Sequence, residues 1–119
     1  MITMLYVDDE PLATKYFCLE YADNFNICTA NSAEEALEII KSNPAFDVVI
    51  SDFLMPMKTG IELLREVKEL SGKTKRLIYT SHMQDALSQY IEQERIIHKV
   101  ITKPAEIDDF IKEINALFR

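Results

Sequence analysis

Residues 2–11 have the sequence ITMLYVDDEP, which is the most informative stretch for predicting the fold. Its first six residues are mostly aliphatic, β-branched or aromatic, which favours a β-strand. Three acidic residues follow, and Pro11 then suits the first turn of a helix, because a residue there needs no backbone N–H. The stretch therefore predicts a strand that passes directly into a helix, with carboxylates at the junction.

The same alternation of a short β-rich run and a longer helical pattern recurs five times along the chain. The third run, DVVIS at 47–51, is largely apolar, as expected for a strand buried on both faces of a sheet. The predicted strands cover residues 2–7, 25–30, 47–51, 76–80 and 98–101, and the helices begin near Pro11, Ser32, Thr59, residue 86 and Ile107. Such alternation implies right-handed crossovers, and hence an α/β fold with one doubly wound parallel sheet between flanking helices.

Two sequence patterns mark the starts of the second and third helices. Ser32 with Glu35, and Thr59 with Glu62, each fit a capping box, in which two side chains satisfy free backbone N–H groups. Several large apolar residues recur at helical spacing and are interpreted as core or helix-packing residues. They are Leu12, Tyr16 and Leu19 in the first helix, with Phe17, Phe110 and Phe118.

Composition limits the classes of function. At 119 residues the chain is expected to form one domain, residues 1–119. Its formal net charge of −7 repels a phosphate backbone, so direct nucleic-acid binding is not expected. No apolar run approaches the length of a membrane span, which favours a cytoplasmic protein without membrane contact. Cys18 and Cys28 lack the spacing of metal ligands and are expected to be reduced thiols.

Polar side chains follow four of the predicted strands, at the point where each strand ends: Asp8 and Asp9, then Asp52, then Thr80, then Lys103. Ligands of open α/β sheets bind at this carboxyl edge. Carboxylates brought so close repel one another, and a Mg²⁺ ion removes that repulsion. Asp52 then becomes a candidate nucleophile for a phosphoryl group, with Lys103 as its positive partner.

Each of these residues also has a simpler interpretation. The Asp8–Asp9 pair before a proline is typical of a helix N-cap. Asp52 alone suits a turn, Thr80 the end of a strand, and Lys103 a solvated loop. The interpretation as a site is favoured because all of them follow the expected strands in the expected order.

Together these residues resemble the receiver domain of two-component response regulators, and the resemblance covers the whole chain. The matching segments are Val7–Pro11, Asp52–Pro56 with Gly60, Thr80–Ser81 and Lys103–Pro104. The resemblance implies a flavodoxin-like fold, with five parallel strands in the order 2-1-3-4-5 and five helices.

The resemblance also implies a role for each residue of the site. Asp52 is the implied phosphoryl acceptor, Asp9 a direct ligand of Mg²⁺ or Mn²⁺, and Asp8 a ligand through water. Asp52 and the backbone carbonyl of Leu54 complete the implied metal ligands. The side chains implied to contact the phosphoryl group are Thr80 and Lys103.

The implied phosphodonor is a sensor histidine kinase or a histidine phosphotransfer protein. Phosphorylation is implied to bias a two-state equilibrium that is read on the face of the fourth helix, fifth strand and fifth helix. That face would act on a downstream protein, on a C-terminal output domain, or on a second copy in a homodimer. The sequence leaves open whether it is a complete regulator or the first part of a longer protein.

Three positions are expected to tune this chemistry. Val100 lies where the family usually has an aromatic residue that turns inward, and a β-branched side chain has no ring to swing. Leu54 lies two residues after Asp52, and we expect its apolar side chain to hinder water and to lengthen the life of the phosphoryl group. His82, two residues after Thr80, either orients that water or is a solvated loop residue.

Two other functions are weighed against the receiver. A pseudo-receiver would keep the fold and bind partners without phosphate, yet every residue of the phosphorylation site is present. A Mg²⁺-dependent phosphatase with an aspartyl nucleophile would place an acid two residues later, where this chain has Leu54. The sequence therefore predicts a signalling domain that modifies itself rather than an enzyme that turns over external substrates.

Overall fold

The computed structural model describes residues 1–43, 45–81 and 87–118, without the side chain of residue 92. Five strands and five helices alternate in this part of the chain. Their bounds are β1 Thr3–Val7, α1 Pro11–Tyr21, β2 Asn26–Ala30, α2 Ala33–Ser42, β3 Val48–Ser51, α3 Gly60–Leu70, β4 Lys75–Thr80, α4 Leu87–Glu92, β5 Lys99–Thr102 and α5 Ile107–Ala116. The strands pair in parallel in the order β2-β1-β3-β4-β5, which confirms the predicted fold.

Helices cover both faces of the sheet, and side chains alternate between these faces along each strand. In β1, Leu5 and Val7 belong to the core beneath α2, α3 and α4. Met4 and Tyr6 belong to the core beneath α1 and α5. None of the helices in the described ranges is long and apolar enough to cross a membrane.

The predicted capping boxes are confirmed at one helix and corrected at the other. At α3, Thr59 accepts from the backbone N–H of Glu62, and the Glu62 carboxylate accepts from that of Thr59. At α2, the Ser32 hydroxyl accepts from the Glu35 amide at 3.0 Å as predicted. The Glu35 carboxylate, however, reaches past Ser32 and accepts from the Asn31 amide, also at 3.0 Å.

The prediction that Leu12, Tyr16 and Leu19 form the buried face of α1 is wrong. Leu12, Tyr16 and Leu19 are 60%, 55% and 69% exposed, whereas the helix buries Phe17, as predicted, and Tyr21. Two apolar stripes run along α1, so spacing alone did not identify the one that meets the sheet. At the C-terminal end, Phe118 is also exposed, against the prediction, while Phe110 is fully buried as expected. Cys18 and Cys28 are free thiols, as predicted.

The core beneath α1 and α5 contains a cluster of stacked rings, called here the aromatic cluster: Tyr6, Phe17, Tyr21, Tyr79 and Phe110. The rings of Tyr6 and Phe17 stack with centroids 4.0 Å apart and an interplanar angle of 14°. Tyr79 packs against Phe110 at 5.0 Å. Aromatic pairs in such geometries contribute more to stability than their buried area alone. The aromatic cluster is therefore a well-packed layer beneath the C-terminal ends of β1 and β4.

Candidate functional site

The carboxyl ends of β1 and β3 lie side by side because the two strands are neighbours in the sheet. Val7 pairs with Ser51, so the next residues, Asp8 and Asp52, are brought together. One carboxylate oxygen from each of Asp8, Asp9 and Asp52 lies within 4.8 Å of the others. The structure thus brings together the three carboxylates that the sequence predicted, and we call them the acidic cluster.

Asp8 is the most buried member of the acidic cluster, at 2% exposure. Its Oδ2 atom accepts from the Tyr6 hydroxyl and from Lys103 Nζ, each at 3.0 Å. Its Oδ1 atom accepts from the backbone amide of Glu10 at 3.1 Å. A buried carboxylate needs such donors, because an unpaired charge away from water is costly. Asp8 is therefore held in one orientation by groups from both β1 and β5.

Asp52 is half-buried at the end of β3. Its Oδ1 atom accepts from the Phe53 amide at 2.8 Å. Its backbone carbonyl accepts from the Ser51 hydroxyl at 2.8 Å and faces Gly60, where a Cβ atom would lie only 2.2 Å from that carbonyl oxygen. Gly60 thus allows α3 to begin directly against the backbone of Asp52.

Thr80 is the last residue of β4, and Lys103 directly follows β5. Thr80 is fully buried, and its carbonyl accepts from the Lys103 amide at 2.8 Å. The Lys103 side chain is 23% exposed. Its Nζ lies 5.1 Å from the ring centroid of Tyr79 and 5.9 Å from that of Tyr6, within the range of a cation–π interaction.

Tyr6 is a residue of the site that the sequence reasoning missed. Burial and then the neighbouring charge of Asp8 raise the pKa of Tyr6 far above its usual range, so the phenol stays protonated and donates its hydrogen. A signal for it exists in the sequence. Residues two apart in a strand project from the same face, and Tyr6 precedes Asp8 by two.

The predicted tuning residues lie in different environments. Leu54 is 49% exposed. Val100 is partly buried and packs against the core beneath α2, α3 and α4. Tyr79 lies on the opposite face of the sheet, in the core beneath α1 and α5. Tyr79 therefore does not replace the missing aromatic residue on the face of Val100. His82 lies outside the described residues, and its predicted role stays a prediction.

The donors of the acidic cluster fit a hard divalent cation. Three carboxylates with mutual oxygen distances within 4.8 Å offer only oxygen ligands, which Mg²⁺ prefers. They include no sulfur or imidazole ligand, the donors preferred by softer transition metals. The residues that would hold the ion are Asp8, Asp9 and Asp52.

Comparison with known proteins agrees with this fold. The response regulator receiver domain family matches residues 4–115. The CpxR homolog of Haemophilus influenzae, a transcriptional regulatory protein, is 29% identical over 120 residues, covering 100% of this chain and 51% of that protein. The chain therefore belongs to the response regulator receiver domain family, whose members are signalling domains rather than classical enzymes.

Two solved structures are similar over nearly the whole chain. A response regulator receiver domain protein from Clostridium thermocellum is 28% identical with a TM-score of 0.85, covering 98% of this chain and 93% of the other. The response regulator TrrA from Thermotoga maritima, solved in complex with Mg²⁺-BeF, is 27% identical with a TM-score of 0.81, covering 98% and 99%. The chain spans about half or less of the length of the curated relatives it matches.

Proposed function

We propose that this receiver domain accepts a phosphoryl group on Asp52 in a Mg²⁺-dependent reaction. The observation that carries the proposal is the meeting of Asp8, Asp9 and Asp52 within 4.8 Å, with Lys103 Nζ bound to the same cluster. Negative charge is concentrated where a divalent cation would balance it, and that cation and Lys103 would offset the charge of an incoming phosphoryl group. Membership of the receiver family supports the same chemistry.

The phosphodonor is a phosphohistidine of a sensor histidine kinase or of a histidine phosphotransfer protein. A carboxylate oxygen of Asp52 attacks the phosphorus, an O–P bond forms, and the N–P bond to the donor imidazole breaks. A Mg²⁺ (or Mn²⁺) ion, when bound by Asp8, Asp9, Asp52 and the Leu54 carbonyl, supplies positive charge to the phosphoryl oxygens. The Thr80 hydroxyl donates to one phosphoryl oxygen, and Lys103 pairs with another.

Phosphorylation then shifts a conformational equilibrium that is read by partners. The reading face comprises α4, β5 and α5, and its partner is a downstream protein, an output domain or a second copy of the chain. Val100 on β5 has no ring to turn inward, so this chain lacks the coupling between the threonine and an aromatic residue that is usual in the family. The domain acts in the cytoplasm, where its phosphodonors are found.

The chemistry is self-directed. Leu54 lies where an aspartyl phosphatase would carry its general acid, and a leucine transfers no proton. The phosphoryl group therefore stays on Asp52 until water removes it. We assign Leu54 a role in slowing this hydrolysis, because its exposed apolar side chain follows the acceptor by two residues. His82 is proposed either to orient the attacking water or to be a solvated loop residue.

Beryllofluoride, a stand-in for the phosphoryl group, tests this function without a cognate kinase. We expect ¹H–¹⁵N spectra of the wild type to change at the amides of Thr80 and Lys103 when Mg²⁺ and beryllofluoride are both present. Asp52→Asn is the matched control and should show no such change. A folded wild type with an unchanged spectrum would contradict the proposal and favour a pseudo-receiver that binds its partners unmodified.

A further inference from the structure

We propose that Tyr6 is a positioning residue of the phosphorylation site: its hydroxyl is the fixed donor that keeps Asp8 oriented toward the metal, both while Lys103 contacts Asp8 and after Lys103 turns to the phosphoryl group. This inference rests on the proposed function, because it concerns the same metal and the same phosphoryl group. It adds Tyr6, which contacts Asp8 of the acidic cluster without being a metal ligand itself.

The Tyr6 hydroxyl has little freedom to move. Tyr6 is 1% exposed. Its ring stacks on that of Phe17 with centroids 4.0 Å apart, and its centroid lies 6.3 Å from that of Tyr79. A ring packed against two other rings holds its hydroxyl in place, 3.0 Å from Oδ2 of Asp8.

Lys103 is a different kind of donor on the same oxygen. Its Nζ is also 3.0 Å from Oδ2 of Asp8, but it ends a flexible four-carbon side chain that is 23% exposed. A lysine that pairs with the phosphoryl group on Asp52 must weaken its bond to Asp8. Without the Tyr6 hydroxyl, Oδ2 of Asp8 would then keep neither the hydrogen bond from Tyr6 nor the one from Lys103 once Asp52 is phosphorylated.

Two rigid donors together fix the carboxylate plane. The Tyr6 hydroxyl donates a hydrogen bond to Oδ2 of Asp8. The backbone amide of Glu10 donates one to Oδ1 at 3.1 Å. With one donor on each oxygen, the Asp8 carboxylate cannot rotate freely about its terminal bond. Hydrogen-bond partners behind metal ligands orient those ligands, and their removal typically lowers metal affinity or activity by roughly 10- to 100-fold.

The variant Tyr6→Phe removes this hydroxyl and keeps the stacked ring. Tyr21→Phe is its matched control, because Tyr21 belongs to the same aromatic cluster and is equally buried. The Tyr21 hydroxyl has no hydrogen-bond partner among the described residues, so its loss removes the same atom without touching Asp8. Comparing the two variants separates a role in packing from a role in positioning.

Three readouts are measured for the wild type and both variants: the Mg²⁺ dissociation constant by NMR titration, the Mg²⁺ concentration that half-saturates phosphorylation by acetyl phosphate, and the thermal midpoint without metal. For Tyr6→Phe we expect the Mg²⁺ dissociation constant and the half-saturating Mg²⁺ concentration each to rise about 10-fold. For Tyr21→Phe we expect wild-type values in both assays.

The outcomes distinguish this inference from the proposed function. A wild type that binds no Mg²⁺ and takes up no phosphoryl group overturns the proposed function and the inference together. A functional wild type with Tyr6→Phe indistinguishable from Tyr21→Phe in Mg²⁺ affinity overturns the inference alone. A lower thermal midpoint for Tyr6→Phe with unchanged Mg²⁺ affinity also overturns it, because the hydroxyl would then serve stability only.

Discussion

Lys103 Nζ donates to Oδ2 of Asp8 at 3.0 Å, although the two residues are 95 positions apart in the sequence. This bond joins the end of β5 to the end of β1 across the carboxyl edge of the sheet. The acidic cluster is therefore partly neutralised by the protein itself. In the proposed reaction Lys103 would exchange Asp8 for the phosphoryl group, and the bound Mg²⁺ would then balance the charge of the acidic cluster.

Neutralising one carboxylate of the acidic cluster should stabilise the metal-free domain. Asp52→Asn removes one of three negative charges that lie within 4.8 Å of one another. We expect a gain of about 1 kcal/mol, as is common when a site evolved for function is relaxed. Thermal unfolding without metal measures it, and saturating Mg²⁺ should narrow the difference from the wild type. A less stable Asp52→Asn without metal would show that the cluster carries no net repulsion.

Gly60 should tolerate no side chain. A Cβ atom there would lie 2.2 Å from the Asp52 carbonyl oxygen and 2.9 Å from a methyl group of Ile78. We expect Gly60→Ala to cost about 3 kcal/mol, the upper part of the usual range for overpacking, and to weaken Mg²⁺ binding as the Asp52 backbone shifts.

Gly72→Ala is the matched control for this prediction. Its Cβ would meet its nearest atom at 3.6 Å, so its stability should stay within about 0.5 kcal/mol of the wild type. Chemical denaturation of both variants measures the two values. Equal stabilities would mean that α3 can move away from Asp52 without cost.

His98 should make stability fall toward acid pH. Its Nδ1 accepts from the backbone amide of Arg76 at 2.9 Å, which requires a neutral ring. Partial burial, followed by the charges of Arg76 and Lys75, lowers the pKa of His98 below its usual value. The unfolded chain therefore takes up the proton first as pH falls, so the folded state loses stability from about pH 6.5 downward.

Thermal midpoints between pH 8 and pH 5 test this expectation, with His98→Asn as the control. An asparagine side chain offers an oxygen acceptor to Arg76 but has no proton to gain in this range. The wild type should lose more of its midpoint below pH 6.5 than the variant. Parallel curves for the two proteins would assign the acid sensitivity to other groups.

Leu54 should control how long the phosphoryl group survives. Replacing it by asparagine exchanges an exposed apolar side chain for one that can hydrogen-bond a water molecule near Asp52. We expect Leu54→Asn to lose phosphate about 10-fold faster, a change of roughly 1.4 kcal/mol in the barrier. The decay of the phosphorylated mass after removal of the donor measures this rate, and an equal or slower decay would contradict the role of Leu54.

Alternation of strands and helices was sufficient to predict the sheet, because every strand observed begins within one residue of its expected position. The ends of those strands then placed Asp8, Asp52 and Lys103 at one edge. Parallel strands leave little choice about where their carboxyl ends meet, so this part of the site follows from topology.

Other features depend on contacts that no local pattern encodes. The buried face of α1 was mispredicted because Leu12, Tyr16 and Leu19 are as regularly spaced as the residues that are buried. The choice of Phe17 and Tyr21 follows from Phe110 on α5, which both rings contact across the core and which lies far away in the sequence. The bond between Tyr6 and Asp8 was missed for a different reason, since a tyrosine in a buried strand is first interpreted as packing.

Intact mass after incubation with acetyl phosphate and Mg²⁺ shows whether Asp52 accepts a phosphoryl group. We expect the addition of one phosphoryl group to the wild type, and no addition to Asp52→Asn or to a wild-type sample kept free of divalent metal. Repeating the reaction with Lys103→Met should give slower uptake, because the positive partner of the phosphoryl group is lost. Uptake that persists in Asp52→Asn, or its absence from a folded wild type with Mg²⁺, would show that Asp52 is not the phosphoryl acceptor.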